Sequence, residues 1–207
     1  MAGQKSTPES NAAGLGSKPL LDRLTGAEAA LVLRTLLTRH AELTAEAEQI
    51  ALEAAGDVAP FDVAEEVLEA VCQYDYDDLN SRAGSHSWGY VEPAEGAWEL
   101  LEEALEPFVS EMKRCLSVGL EDAALRHCQG IALGLYRAQD AANDLLGWAE
   151  DFPAEAAGGA LDEWRSAPGP EGEPPDPKGS GRVLPLDFFR QHLPKWEWIS
   201  KVSSGTP

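Results

Sequence analysis

Apolar residues recur at three- and four-residue intervals along most of this chain, and the pattern is broken once, over residues 74–90 (YDYDDLNSRAGSHSWGY). A three-four repeat lines one side of an α-helix and cannot line one side of a strand, so it predicts an all-α body. Short connections between the predicted helices force neighbours to run antiparallel. The expected architecture is an irregular array of antiparallel helical hairpins with TPR- or HEAT-like stacking. A fixed repeat length and the tetratricopeptide W-x2-L-G-x2-Y pattern are both missing.

Local signals place the helices. Thr25 and Glu28 have the spacing of a capping box, and behind them Ala27, Ala30, Leu31, Leu33, Leu36 and Leu37 form a stripe. A second helix carries Leu43, Ala47, Ile50, Ala51 and Ala54 and stops at Gly56. Asp62 and Glu65 read as another capping box, opening a helix with Ala64, Val67, Leu68, Val71 and Cys72 on one face. Pro93 suits a first helical turn, and the longest stripe follows it, from Ala94 through Trp98, Leu101, Leu105 and Met112 to Leu116. Pro107 inside that stripe predicts a kink or a break into two helices. Gly119 ends it, and residues 120–137 return with Gly130 and Gly134 one turn apart, a spacing that permits close helix packing. A short helix over residues 140–148 and another opened by Pro153, with Ala157, Ala160, Leu161 and Trp164 in line, complete the body.

The expected organisation is a disordered leader over residues 1–20, a helical domain over 21–165, a flexible Pro/Gly linker over 166–181 and a C-terminal segment over 182–207. That last segment is aromatic and basic. Phe188, Phe189, Trp196 and Trp198 are expected to dock onto the helical body or a neighbouring copy, or to serve as a motif for a partner. Charge is unevenly spread. Residues 21–177 hold 33 acidic residues against 9 Lys/Arg, a net of −24, and residues 178–201 hold 5 Lys/Arg against 2 acids, a net of +3. Such a body repels phosphates, so no nucleic-acid partner is expected. The apolar runs are too interrupted to span a bilayer, so no membrane partner is expected either. A secretory signal pattern is missing at the N-terminus, and the expected location is cytoplasmic.

Cys72, Cys115 and Cys128 fall on apolar helical faces, where free thiols pack as small hydrophobes. Cys115, His127 and Cys128 offer three zinc-type donors but lack paired C-x2-C spacing, so core packing is the expectation.

Side-chain chemistry concentrates in residues 74–90, read as a long loop, and long loops in compact domains are disproportionately functional. Tyr74, Tyr76, Arg82, His86, Trp88 and Tyr90 are the candidate partner-binding residues, with Tyr76 an exposed anchor and Trp88 a plug between helices. Asp75, Asp77 and Asp78 suggest a cation site, although the central glycine and twelfth-position acid of an EF-hand are absent. Ser85, His86 and Asp78 lack any nucleophile elbow, and phosphate-binding glycine loops and nucleotide fingerprints are absent. No catalytic residue and no cofactor are assigned.

Three strings, YDYDDLNSRAG, WGYVEPAEGAWELLEEALEPFVSEMKR and LSVGLEDAALRHCQGIALGLY, followed by LLGWAEDFP, lie within residues 74–164. This stretch resembles a family of uncharacterised bacterial helical proteins, with related segments in some SWIM zinc-finger proteins. The resemblance implies an α-helical repeat-like fold and no assigned activity; the paired Cys/His spacing of a SWIM finger is missing. The expected function is a non-enzymatic acidic scaffold or adaptor that holds a protein partner through residues 74–90 and adjacent helix faces. The alternative is a metal-dependent enzyme or metal sensor built on Asp75, Asp77, Asp78 and His86. The oligomeric state is left open.

Overall fold

The computed structural model of the chain describes residues 19–87, 89–141, 143–167, 182, 184–196 and 198–199. Most of the expected leader, residues 168–181 of the linker, residues 200–207 and the candidate plug Trp88 lie outside the described residues. Two compact units are present, residues 1–50 and residues 51–207.

The first unit holds a short 3-10 turn (Leu20–Arg23), helix α1 (Gly26–Arg39), a second 3-10 turn (Ala41–Leu43) and the start of α2 (Thr44–Gly56). Thr25 caps α1 as its sequence predicts: its hydroxyl accepts from the Glu28 amide at 3.3 Å while the Glu28 carboxylate accepts from the Thr25 amide at 2.8 Å. The α1 stripe does not become core. Leu31, Leu33 and Leu36 stay exposed, Leu31 by 63%, and neither α1 nor α2 buries a residue. A stripe records only which side of a helix is apolar; burial needs a second face brought against it.

The second unit runs α3 (Pro60–Cys72), α4 (Tyr76–Arg82), β1 (Gly84–His86), β2 (Gly89–Val91), α5 (Pro93–Ser117), α6 (Glu121–Ala138), α7 (Phe152–Ser166) and α8 (Leu186–His192). Helices dominate, and the only sheet among the described residues is the β1–β2 pair, in antiparallel register with Ser85 opposite Tyr90. Asp62 and Glu65 do not cap α3. Pro60 starts the helix three residues earlier, because its fixed φ suits the first turn and its missing N–H needs no partner. Helix α5 runs through Pro107 without a break, the proline being exposed on its outer side.

Helix α6 is the centre of this unit, packed against α3, α5 and α7. Residues 128–135 are buried without exception, more than two full turns. Its small residues let neighbours approach closely. A Cβ built on Gly130 would sit 2.5 Å from Val63 Cβ and 2.8 Å from the Pro60 carbonyl oxygen; one on Gly134 would sit 2.7 Å from the Ala64 carbonyl oxygen. The α5–α6 reversal is a Schellman turn: Gly119 takes φ +80°, its amide donates to Leu116 O at 3.1 Å, and Leu120 N donates to Cys115 O at 2.8 Å.

Over residues 140–148, expected as a helix, the described residues 140, 141 and 143–148 form turns and bends instead. The Asn143 side-chain oxygen accepts from the amides of Leu145 and Leu146, and its amide nitrogen donates to Cys72 O at 3.2 Å. An asparagine that satisfies local amides offers the backbone an alternative to helix. Leu145 and Leu146 are still buried, whereas Trp148 is exposed.

At the C-terminal end Phe189, Leu193, Trp196 and Ile199 are buried, and Phe188 and Trp198 are half-buried against the same core. The Trp196 ring meets Tyr136 of α6 edge-on at 5.2 Å, and Phe188 lies 6.1 Å from Phe61 of α3. Lys195 pairs with Asp140 at 2.8 Å, and Arg182 donates to the carbonyls of Trp164 and Ala167 while pairing with Glu121 at 3.2 Å.

Candidate functional site

The described residues of 74–90 are folded into α4 and the β1–β2 pair instead of forming a long loop. Asp75 takes an extended conformation before α4, and one of its oxygens accepts from Asp77 N at 2.8 Å and Asp78 N at 3.2 Å. Asp78 reaches back to accept from Asp75 N at 3.0 Å. Two of the three acids proposed as cation ligands thus close a capping box around free amides, with Asp77 beside them in the first turn, where negative charge opposes the helix dipole. The sequence shows the same Asp-x-x-Asp spacing, which is as much a cap signal as a cation signal.

Arg82, at the end of α4, ties the segment to α5. Its Nη2 donates to both Glu103 oxygens at 2.7 Å and its Nη1 to Glu99 at 3.3 Å. The contact is tight on the backbone side too: a Cβ on Gly96 of α5 would sit 3.3 Å from Ala83 Cβ. His86 of β1 lies 2.8 Å through Nε2 from the Arg82 carbonyl oxygen. Gly84 and Gly89 sit at φ +106° and +151°, values open to glycine, and let the chain turn through the hairpin.

The candidate aromatics separate by exposure. Tyr74 is half-buried against the core, beside a backbone carbonyl that accepts weakly from Asn143. Tyr76 is 51% exposed and Tyr90 61% exposed. Arg82 and His86, expected as partner contacts, have internal partners, while Tyr76 and Tyr90 present much of their rings to solvent.

Two features of the second unit go beyond the sequence reading, the second of them in replacing Cys128 by Glu111 beside the Cys115 and His127 donors. One is a groove of 470 Å³ between α5 and α7, floored by Leu105, Val109 and Phe152 and edged by Glu102, Glu106 and Glu155. Trp98 stands at its edge, stacked edge-on to Phe152 at 5.0 Å and donating to Glu102 at 2.9 Å. The other is the group Glu111, Cys115 and His127, whose donor atoms all lie within 4.8 Å of one another. Burial holds the His127 imidazole below its ordinary value against the opposing pull of Glu111, and burial pushes the Cys115 thiol up. Hydrogen bonding to Arg114 holds the Glu111 carboxyl below its usual range. Cys128 is not part of this group. It is fully buried toward the Ala160 carbonyl oxygen at 3.9 Å, and burial pushes its thiol up to about 12. The spacing of Glu111 and Cys115, one helical turn apart, is legible in the sequence; their meeting with His127 needs the α5–α6 reversal.

Among the described residues no helix is long and apolar enough to cross a membrane. Comparison with protein-family models, with curated proteins and with solved structures finds no match for this chain.

Proposed function

We propose that this chain is a non-enzymatic interaction module, an acidic helical-hairpin scaffold of TPR- or HEAT-like character, that holds a protein partner through residues 74–90 and the helix faces beside them. One observation carries the reading. Tyr76 and Tyr90 are largely exposed on a substructure whose polar residues are already spent on holding it rigid: the Asp75–Asp78 cap, the Arg82–Glu103 pair and the His86 contact to Arg82. Rigid aromatic side chains lose little conformational entropy on binding, which is why such residues dominate interface energies. The net charge of −24 over residues 21–177 favours a partner with a basic surface, and the acid-edged groove between α5 and α7 is suited to a basic amphipathic segment. The relationship to the bacterial helical family belongs to the same proposal. So does a cytoplasmic location, which suits free thiols at Cys72, Cys115 and Cys128. Metal chemistry at Asp75, Asp77, Asp78 and His86 is the weaker reading, because an ion there competes with the cap for the same carboxylate oxygens.

The test is quantitative affinity capture from the native host, comparing the parent with Tyr76→Ala and Tyr90→Ala, alongside melting of each protein. A partner lost from either variant at unchanged Tm supports the proposal. Capture that neither substitution alters refutes it.

A further inference from the structure

We propose that Glu111, Cys115 and His127 form a binding site for a divalent transition-metal ion of the zinc class, joining α5 to α6. The site lies apart from the proposed partner surface and stands or falls independently of it.

The geometry comes from two simple facts. Glu111 and Cys115 are four residues apart, so both project from one face of α5 near its C-terminal end. The Schellman turn at Gly119 then returns the chain antiparallel, and His127, six residues into α6, comes level with them. The three donors lie within 4.8 Å of one another, with Cys115 Sγ 4.0 Å from Glu111 Oε1. Donors around a tetrahedral ion with bonds of about 2.0–2.3 Å sit about 3.3–3.8 Å apart. Bringing donors 4.8 Å apart to that spacing takes a shift of about 1–1.5 Å.

A second observation points the same way. His127 Nδ1 is buried and has no hydrogen-bond partner. A polar atom in that state costs free energy that a ligand there recovers. The surroundings resemble the outer shell of a metal site as well. Arg114 donates to both Glu111 oxygens, at 2.6 and 2.7 Å, which fixes the carboxylate and leaves each oxygen further lone-pair capacity. Glu66 of α3 and Arg114 both lie near enough to act on His127 electrostatically.

Donor chemistry selects the ion. A thiolate with an imidazole and one carboxylate suits zinc and its neighbours, whereas calcium and magnesium want oxygen alone. Binding replaces the Cys115 thiol proton, which leaves to solvent, so thiolate and carboxylate together balance the two positive charges of the ion. The guanidinium of Arg114 adds a positive charge that weakens affinity relative to a site without it, and the Glu66 carboxylate nearby opposes that effect. Three protein donors leave one coordination position for water or a ligand, the composition of a responsive site and not of a closed structural one.

Cobalt(II) titration of the full chain, after chelator treatment and under reducing conditions, tests this. The expected result is a near-ultraviolet sulfur-to-cobalt charge-transfer band that saturates at one equivalent and is abolished by added zinc. Cys115→Ser removes the band, Cys128→Ser and Cys72→Ser leave it, and Glu111→Gln or His127→Gln weakens cobalt binding by about tenfold or more. Zinc raises the Tm of the parent and leaves that of Cys115→Ser unmoved. Absence of the band at saturating cobalt overturns the proposal, as does a band that survives Cys115→Ser or one that needs Cys72. The half-buried Glu111 tolerates the Gln replacement, so full cobalt affinity in a folded Glu111→Gln chain also counts against it.

Discussion

Gly130→Ala tests the packing at the centre of the second unit. In an isolated helix the change is favourable by about 1 kcal/mol, because alanine gives up less backbone freedom than glycine. Here the new methyl group falls 2.5 Å from Val63 Cβ, 2.6 Å from Val63 Cγ1 and 2.8 Å from the Pro60 carbonyl oxygen. Carbon atoms rest about 3.5–4.0 Å apart, so α3 must retreat by about 1 Å. Rotamer change gives no relief: the nearest atoms are the Cβ of a stiff β-branched residue and a backbone oxygen. The retreat pulls Val63, Ala64, Val67 and Val71 from their contacts, and overpacking of this kind costs about 1–3 kcal/mol. Set against the propensity gain, this leaves Gly130→Ala with an expected net loss of up to about 2 kcal/mol, or up to roughly 8 °C in Tm, and no gain. Gly159 is the internal control. It is exposed in α7, a Cβ there meets nothing within 4 Å, and Gly159→Ala should gain about 0.5–1 kcal/mol. Gly134→Ala presses on the same helix through Val67 Cβ at 2.7 Å, so one retreat of α3 serves both sites and the double variant should lose less than the sum. Urea unfolding followed by tryptophan fluorescence and far-ultraviolet circular dichroism measures the parent and the four variants. Equal stabilisation by Gly130→Ala and Gly159→Ala would refute the close approach of α3 and α6.

Leu101→Asp places a carboxylate in a fully buried position of α5 and should cost about 4 kcal/mol or more, whereas Leu33→Glu, on the exposed side of α1, should stay within about 0.5 kcal/mol; similar melts for the two would show the faces misassigned. Trp196→Ala removes a buried ring packed edge-on against Tyr136 and should cost about 3 kcal/mol, while Lys195→Ala breaks an exposed, solvent-screened pair with Asp140 and should cost much less. A larger loss from the lysine would mean that charge, not burial, holds the segment. Burial keeps the Cys128 thiol protonated up to about 12 in the folded chain, against 9.0 for an ordinary thiol, so its contribution is whole below about pH 9 and is lost as pH rises toward 12, at about 1.4 kcal/mol per unit. Stability measured across that window should fall more gently in Cys128→Ala than in the parent, and parallel curves would refute the assignment. The half-buried His127 acts on the acid side: burial lowers its value, so stability declines as pH drops below about 6.5, and His127→Gln should remove that decline.

What this sequence determined by itself was local. The Thr25–Glu28 cap, the start of α5 at Pro93, the reversal at Gly119 and the close packing at Gly130 and Gly134 each depend on residues within a turn or two, or on one side chain being absent. Such signals carry their own physics, and the helical class follows from their sum. Local rules also misled where two of them competed. Pro60 outranked Asp62 for the start of α3, Asn143 drew the backbone of residues 143–148 into turns, and Asp75 with Asp78 served a cap.

Only the tertiary structure decided which apolar stripes became core. The stripes of α1 and α5 look alike in the sequence, yet Leu31 stays exposed and Leu101 is fully buried, because burial depends on what meets a face and not on the face alone. Helix α6 reads as amphipathic at both ends, but its uncharged run over residues 128–136 is enclosed by α3, α5 and α7. Packing of α4 against α5 leaves Tyr76 outside while Arg82 turns to Glu103, and Tyr90 stays exposed on β2. The gathering of Glu111, Cys115 and His127 is likewise non-local. A helix fixes the spacing of its own side chains, but the distance between side chains on different helices is set by the packing of their backbones, and that packing is a property of the whole unit.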